Sequence, residues 1–383
     1  MLRVSLILIA VFAALGLAVT QLGNKTGPAT NSLRVADAMS GSDTVGYSRA
    51  VDPIEFSFPR DHGPHPDFKT EWWYYTGNLD SKSGRRFGYQ FTIFRIALTP
   101  TPEERASDWA ASQMYMAHFA LSDIDGDKFY SFERFSRGAQ GLAGAQAAPF
   151  RVWLEDWEAL DTDGSQPLFP VHRLRAGQDN VTIDFRLEST KPLVFQGENG
   201  LSQKSWERGN ASYYYSMTRL KTDGTITIDD EIFDISGLSW KDREWSTSAL
   251  AENQVGWDWF SLQLSNGEEV MYFTLRNKDE SEKAFDKGAL VFKSGESKLI
   301  KPGSAVLTEK DYWTSPDGGI YPAKWNLQIP ADSINLNISS NMPDQELDVS
   351  VRYWEGSVSI SGTRGSDSVT GRGYVEMTGY GEN

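Results

Sequence analysis

The stretch HPDFKTEWWYYTGNL, residues 65–79, sets a single glutamate, Glu71, ahead of four consecutive aromatic residues. On an extended strand Glu71 shares a face with Trp73 and Tyr75, while Trp72 and Tyr74 point the other way. A carboxylate on such a face is costly to ionise unless a cation meets it. Arg95 is the natural cation: on the next strand it shares the face of Tyr89, Phe91 and Ile93. Two readings stay open. Glu71 and Arg95 form an ion pair that fixes strand register, or Glu71 orients a ligand or donates a proton, its pKa raised by burial.

Further groups could join such chemistry. His118, in MYMAHFALSD, shares a face with Met114, Met116 and Ala120. It reads as a core histidine donating to a neighbour, or as the third member of an acid, base and cation trio with Glu71 and Arg95. WKDREW, residues 240–245, packs Asp242, Arg243 and Glu244 between two tryptophans. That flanking argues for partial burial, with Arg243 stacked or bidentately paired. His62 and His65 are spaced as a metal pair can be, but they sit in a Gly-Pro loop with no further His or Cys nearby. The expectation is a loop at a barrel mouth and no metal. Glu355 and Glu376 stand among aromatics in YWEG and YVEMTGY and are expected in core or rim ion pairs. The sequence has no G-x-S-x-G elbow, no Gly-rich phosphate loop after a strand and no H-E-x-x-H. No nucleophile with its base is visible, and no cofactor is called for.

The elements that must position these groups are strands. Aromatics make up 13% of the 383 residues, a load that suits β cores and apolar pockets. A net charge of -15 repels phosphate backbones, so nucleic acid is set aside as a partner. With no cysteine, disulfides, thiolate metal sites and a lipoprotein anchor are excluded. Arg3 followed by the apolar run Val4 to Val19 is a secretory pattern, with an uncleaved anchor as the second reading. Residues 1–19 are read as that segment and 20–50 as a linker, which places the folded part in the periplasm or outside the cell. From Glu55 onward, short runs rich in Val, Ile, Tyr, Phe and Trp alternate with turn signals. Helical periodicity is weak and confined to Thr101–Ala111 and Asp242–Glu252.

An internal repeat organises these strands. WWYYTGNL aligns with WDWFSLQL, so that Trp72 falls on Trp257, Tyr75 on Phe260 and Leu79 on Leu264. Past turns of different length, YQFTIFR falls on VMYFTLR and Arg95 on Arg276. Two such hairpins predict a duplicated β domain, with one barrel over 51–240 and a second over 241–383. The fold class is all-β, two tandem antiparallel barrels with filled or ligand-holding interiors.

HPDFKTEWWYYTGNL, MAHFALSD, SWKDREWS, GWDWFSLQL with MYFTLR, and YWEGSVSISGTRGSDSVTGRGYVEMTGY together resemble the AttH-like, carotenoid 1,2-hydratase-related lipocalin-like family over residues 50–383. The resemblance implies two lipocalin-like barrels in tandem. It implies either water addition to an alkene of an apolar substrate, or the secreted AttH group, encoded beside ABC-transporter permeases and labelled as secreted hydrolases. The chain is more similar to the second group. Arg243 stands where the hydratases carry a histidine after the aspartate, and arginine does not exchange a proton near neutral pH.

The expectation is therefore a binding protein for an apolar molecule such as a lipid or polyene, accessory to an ABC-type permease. The alternative is a hydratase or hydrolase acting on a hydrophobic substrate. In that case Glu71 or Asp242 is the acid, and Trp73, Tyr75, Trp245, Trp257 or Tyr272 surround the cation. Arg95 and Arg276 are the expected cationic contacts for a ligand.

Overall fold

The computed structural model describes residues 44–102, 107–248, 250–251, 253–278 and 284–380. The N-terminal apolar run and most of the expected linker lie outside these residues. The linker's last residues are docked: Ala50 is buried, and Tyr47 donates its hydroxyl to the Ala97 carbonyl at 3.0 Å.

The first sheet has thirteen strands. They are β1 (Thr70–Ser81), β2 (Arg86–Ala97), β3 (Gln113–Asp123), β4 (Lys128–Arg137), β5 (Ala143–Ala147), β6 (Phe150–Leu154), β7 (Trp157–Asp161), β8 (His172–Gln178), β9 (Val181–Ser189), β10 (Val194–Phe195), β11 (Leu201–Gln203), β12 (Ala211–Ile228) and β13 (Glu231–Ser246). The second sheet has ten. They are β14 (Gln254–Leu264), β15 (Glu269–Asn277), β16 (Lys287–Val291), β17 (Ser297–Ile300), β18 (Val306–Thr314), β19 (Ile320–Ile329), β20 (Ile334–Ser340), β21 (Glu346–Asp348), β22 (Arg352–Arg364) and β23 (Asp367–Thr378). The first curls into a nearly closed barrel and the second into a half-barrel. In each sheet the first strand pairs with both the second and the last, β1 with β2 and β13, β14 with β15 and β23. That shared connectivity matches the repeat read in the sequence.

β13 runs unbroken to Ser246, paired with β1 from Ile235 onward. Residues 241–246, assigned from the sequence to the second barrel, therefore complete the first, and the junction falls within 247–253. Over 242–246 the weak helical signal is overridden for the same reason. Lys241 to Ser246 are buried on both faces of a strand that packs a barrel interior on one side and the second barrel on the other. Two-sided burial also explains the aromatic run of β1, since no face of it meets water.

The barrels meet along the outer faces of β1–β3 and β13 on one side and β14, β22 and β23 on the other. Tyr74 donates to Glu355 at 2.9 Å, Asn78 Nδ2 to the Gly373 carbonyl at 2.9 Å, and Gln263 Nε2 to the Ser239 carbonyl at 3.0 Å. Gly88 makes a close approach: a Cβ there would stand 2.6 Å from Ser357 Cβ. Gly88→Val should therefore push the barrels apart and destabilise the protein by about 1–3 kcal/mol. A urea titration showing no loss of stability would mean that this packed interface does not form.

Candidate functional site

The two faces of the β1–β13 wall carry different chemistry. On the inner face, register places Glu71 opposite Arg95 and Trp245, and Arg243 opposite Trp73. Glu71, Arg95 and Arg243 are all fully buried. Arg95 Nε donates to Glu71 Oε1 and Arg243 Nη2 to Glu71 Oε2. The backbone N–H of His65 adds a bond of 3.1 Å to each oxygen. Arg243 lies 4.1 Å from the Trp73 ring and 5.1 Å from the Trp245 ring, and His65 stacks on Trp245 at 3.7 Å. His65 Nδ1 lies 3.0 Å from Arg243 Nη2 and its Nε2 3.2 Å from Asp61 Oδ1. Burial pushes the Glu71 carboxyl up, but Arg243, then Arg95 and His65, outweigh it and hold it well below the usual range. Glu71 is thus a permanent carboxylate, and a proton-donor role for it fails on charge. The expected ion pair is present, with a second arginine that the sequence reading did not assign to it.

His118 does not join this network. Its register partner is Thr92, on the face opposite Arg95. It points out of the barrel, with Nδ1 2.6 Å from the Tyr353 hydroxyl and Nε2 3.0 Å from Glu133. The alternative trio with Glu71 and Arg95 is therefore split across a sheet, and His118 is a buried histidine bonded to its neighbours. Asp242 and Arg243 part the same way, as neighbours on a strand must. Trp73, Tyr75 and Trp245 line the first barrel's interior, with the Tyr75 hydroxyl 3.0 Å from His172 Nδ1. Tyr272 and Arg276 belong to the second barrel. These residues do not surround one cation.

The outer face of the wall, with the second barrel, encloses a cavity of about 70 Å³. Its walls include Trp72, Tyr74, Phe94, Tyr214, Trp257, Trp259 and Phe273, and Asp242, Glu244, Glu355, Glu376 and Lys204 reach it. Of the residues proposed from sequence, only Asp242 and Trp257 are here. Glu355 and Glu376 face each other in register on β22 and β23. Neither forms an ion pair among the described residues, contrary to expectation. Glu355 Oε2 accepts the Tyr74 hydroxyl, while its Oε1 is buried with no hydrogen-bond partner. Burial, reinforced by the Glu376 charge, pushes the Glu355 carboxyl well above the usual range. Burial likewise pushes Glu376 up to about 8, against a hydrogen bond from Trp257. Asp242 differs: its Oδ1 accepts from Ser216 and from Trp240 Nε1 at 2.7 Å, and its Oδ2 from Tyr214. Burial raises it to about 7, the three donors restraining the rise. Glu244 is paired with Lys204 at 2.9 Å. The signal that marks Glu355 and Glu376 in sequence is the one that marks Glu71, a lone acid in an aromatic strand.

Fold and site together define a two-barrel, lipocalin-like protein with an acid-lined pocket between its barrels. Residues 49–380 match the AttH-like family, to which the chain belongs. The crystal structure of a protein assigned as AttH from Nitrosomonas europaea is similar at 35% identity, covering 87% of this chain and 99% of that one, with a TM-score of 0.77. Kievitone hydratase from Nectria haematococca is similar at 18% identity, over 87% of this chain and 96% of that one, with a TM-score of 0.65. CghA, solved with Sch210972, is similar at 11% identity, over 91% of this chain and 97% of that one, with a TM-score of 0.52. The two latter likenesses establish the fold. None of the curated proteins matches the sequence.

Two predictions follow from the charges. Glu71→Gln leaves two buried guanidiniums without their shared carboxylate and should cost about 3–5 kcal/mol in chemical denaturation. The pocket acids act in the opposite sense. Asp242 and Glu376 titrate near 4 when unfolded but at about 7 and about 8 when folded. Between those values the folded state holds more protons, so stability falls as pH rises from about 5 through 8. Glu71, with its pKa depressed, withdraws stability only in acid. An unfolding midpoint that declines over this range, and declines less steeply in Asp242→Asn and Glu376→Gln, is the expected result.

Proposed function

We propose that the protein adds water to the alkene end of an apolar substrate, by acid–base catalysis in the pocket between its barrels. The observation that carries this is Glu355: a carboxyl whose ionisation burial opposes, one oxygen fixed by Tyr74 and the other unpartnered in an aromatic cavity that also holds Asp242. Protonation of an alkene needs an acid that remains protonated near neutral pH, and burial supplies one. In the proposed cycle the Glu355 proton passes to one alkene carbon and the π electrons form the new C–H bond. The cation left on the other carbon faces indole and phenol rings. Water attacks that carbon, loses a proton to the Asp242 carboxylate, and the proton returns to Glu355 through water. The narrow cavity suits a slim alkene end, with the rest of the substrate outside it.

A carrier for apolar ligands, favoured from sequence, would use the same aromatic walls. It offers no reason to keep Glu355 and Glu376 buried without counterions, at a cost in stability. The location outside the cytoplasm rests on the Val4–Val19 run, and a permease partner on the family resemblance.

The test is to incubate the purified protein with a prenylated phenol and with an acyclic polyene in ¹⁸O-labelled water. A product carrying one labelled water is expected, with its formation reduced at least about 100-fold in Glu355→Gln and in Asp242→Asn. Its rate should rise with pH through about 7 as Asp242 ionises. Recovery of bound, unreacted alkene from wild type and both variants alike would establish the carrier reading instead.

A further inference from the structure

The first barrel's interior holds a lysine with no role in the pocket between the barrels. Lys241 shares the inner face of β13 with Ser239 and Arg243, opposite Tyr75 on β1 and Met217 on β12. It is fully buried, and its Nζ has neither a hydrogen-bond partner nor an ion-pair partner among the described residues. Its surroundings are rings: Nζ is 4.6 Å from the Phe150 ring and 5.6 Å from that of Tyr75. Rings attract an ammonium, but only weakly against the cost of dehydrating it. Burial, then the Arg243 charge, push the Lys241 ammonium well below its usual range, which favours the free amine. Lys191 and Lys287, by contrast, are committed to Glu269 and to the Gln203 carbonyl.

Its neighbours include a second orphaned nitrogen. His172 is buried and stacks on Phe150 at 4.9 Å. Its Nδ1 is 3.0 Å from the Tyr75 hydroxyl, while its Nε2 has no hydrogen-bond partner. His62 Nδ1 is 2.6 Å from the Tyr215 hydroxyl. Burial, then the Lys241 charge, opposes protonation of both imidazoles. The ion network beyond Lys241 has cations to spare. Arg60, Arg95 and Arg243 meet Asp61 and Glu71, so three guanidiniums share two carboxylates. Arg243 Nε is buried without a hydrogen-bond partner. An ammonium at Lys241 would add to that surplus, and an anion there would offset it.

We propose that Lys241 is a carboxylation site, its amine combining reversibly with carbon dioxide to form a carbamate inside the first barrel. The Nζ lone pair forms the N–C bond, and one C=O π pair moves onto oxygen. Nζ gives up one proton, for which the unpartnered Nε2 of His172 is an available acceptor. Only a free amine reacts, and burial without a carboxylate favours one. The carbamate is an anion, so its charge favours both the Arg243 guanidinium and a protonated His172. Carbon dioxide is small and apolar, as suits an interior filled by Trp73, Tyr75 and Phe91. The site lies on the face of β13 opposite the pocket between the barrels and does not depend on the reading of that pocket.

The test is to equilibrate the full chain with ¹³C-bicarbonate at mildly alkaline pH and record its ¹³C NMR spectrum. Carbamates are then trapped by ethylation with triethyloxonium and located by peptide mass spectrometry. A carbamate resonance is expected that disappears when carbon dioxide is driven off in acid, with the trapped carboxyl group on Lys241. Lys241→Met should abolish that resonance. The trap locates the group in the wild-type chain, so the result stands even if Lys241→Met unfolds. A resonance unmoved by Lys241→Met, trapped groups only on other lysines, or no trapped group at saturating bicarbonate would overturn the proposal.

Discussion

A carboxylate held between two guanidiniums pins the strand on which the pocket depends. Glu71 joins Arg95 of β2 to Arg243 of β13, so three adjacent strands are tied at one level on the inner face. Side chains alternate along a strand, and a slip of one residue would exchange its two faces. Arg243 would then enter the pocket between the barrels and Asp242 the first barrel's interior. The ion network makes that slip prohibitive, because a stranded buried charge costs several kcal/mol. A group with no reach into the pocket thereby decides which acid stands there.

The same wall shows how surroundings, rather than residue type, set protonation. Glu71 and Glu355 are both fully buried glutamates in aromatic strands. Arginines surround one and hold it ionised. The other meets a tyrosine hydroxyl and a second acid, and burial raises its pKa. Asp242 falls between them, because three hydrogen-bond donors partly replace water around its charge. Acids displaced by different amounts within one cavity are what paired donor and acceptor chemistry requires. The arrangement costs stability at neutral pH, which an inert packing interface would have no cause to bear.

Period-two alternation made much of this legible in the sequence. It put Glu71 with Trp73, Tyr75 and Arg95, and put His118 with Met116 and Ala120, all as found. It could not say which face of β3 looks inward, since both faces of these strands are apolar and buried. It therefore left open whether His118 bonds to a neighbour or joins Glu71 and Arg95. Nor could it join Asp242 to Glu355, which lie on different barrels and meet only through packing of two outer faces. Lone acids in aromatic runs were visible as a pattern, but whether an arginine or a second acid lay opposite depended on contacts far apart in sequence.

The repeat shows what duplication kept and what it released. Gly256 stands opposite Arg276 in the second hairpin just as Glu71 stands opposite Arg95 in the first. A Cβ at Gly256 would lie 2.2 Å from the Thr378 carbonyl oxygen and 2.6 Å from Arg276 Nη2, so no side chain fits there. With no glutamate to meet, Arg276 turns to the Thr378 carbonyl, the Tyr380 ring and Asp258. The counterpart of the cation that closes the first barrel's ion network thus pairs with a different acid in the second. The second hairpin lacks that central tie, and its sheet is a half-barrel where the first is nearly closed.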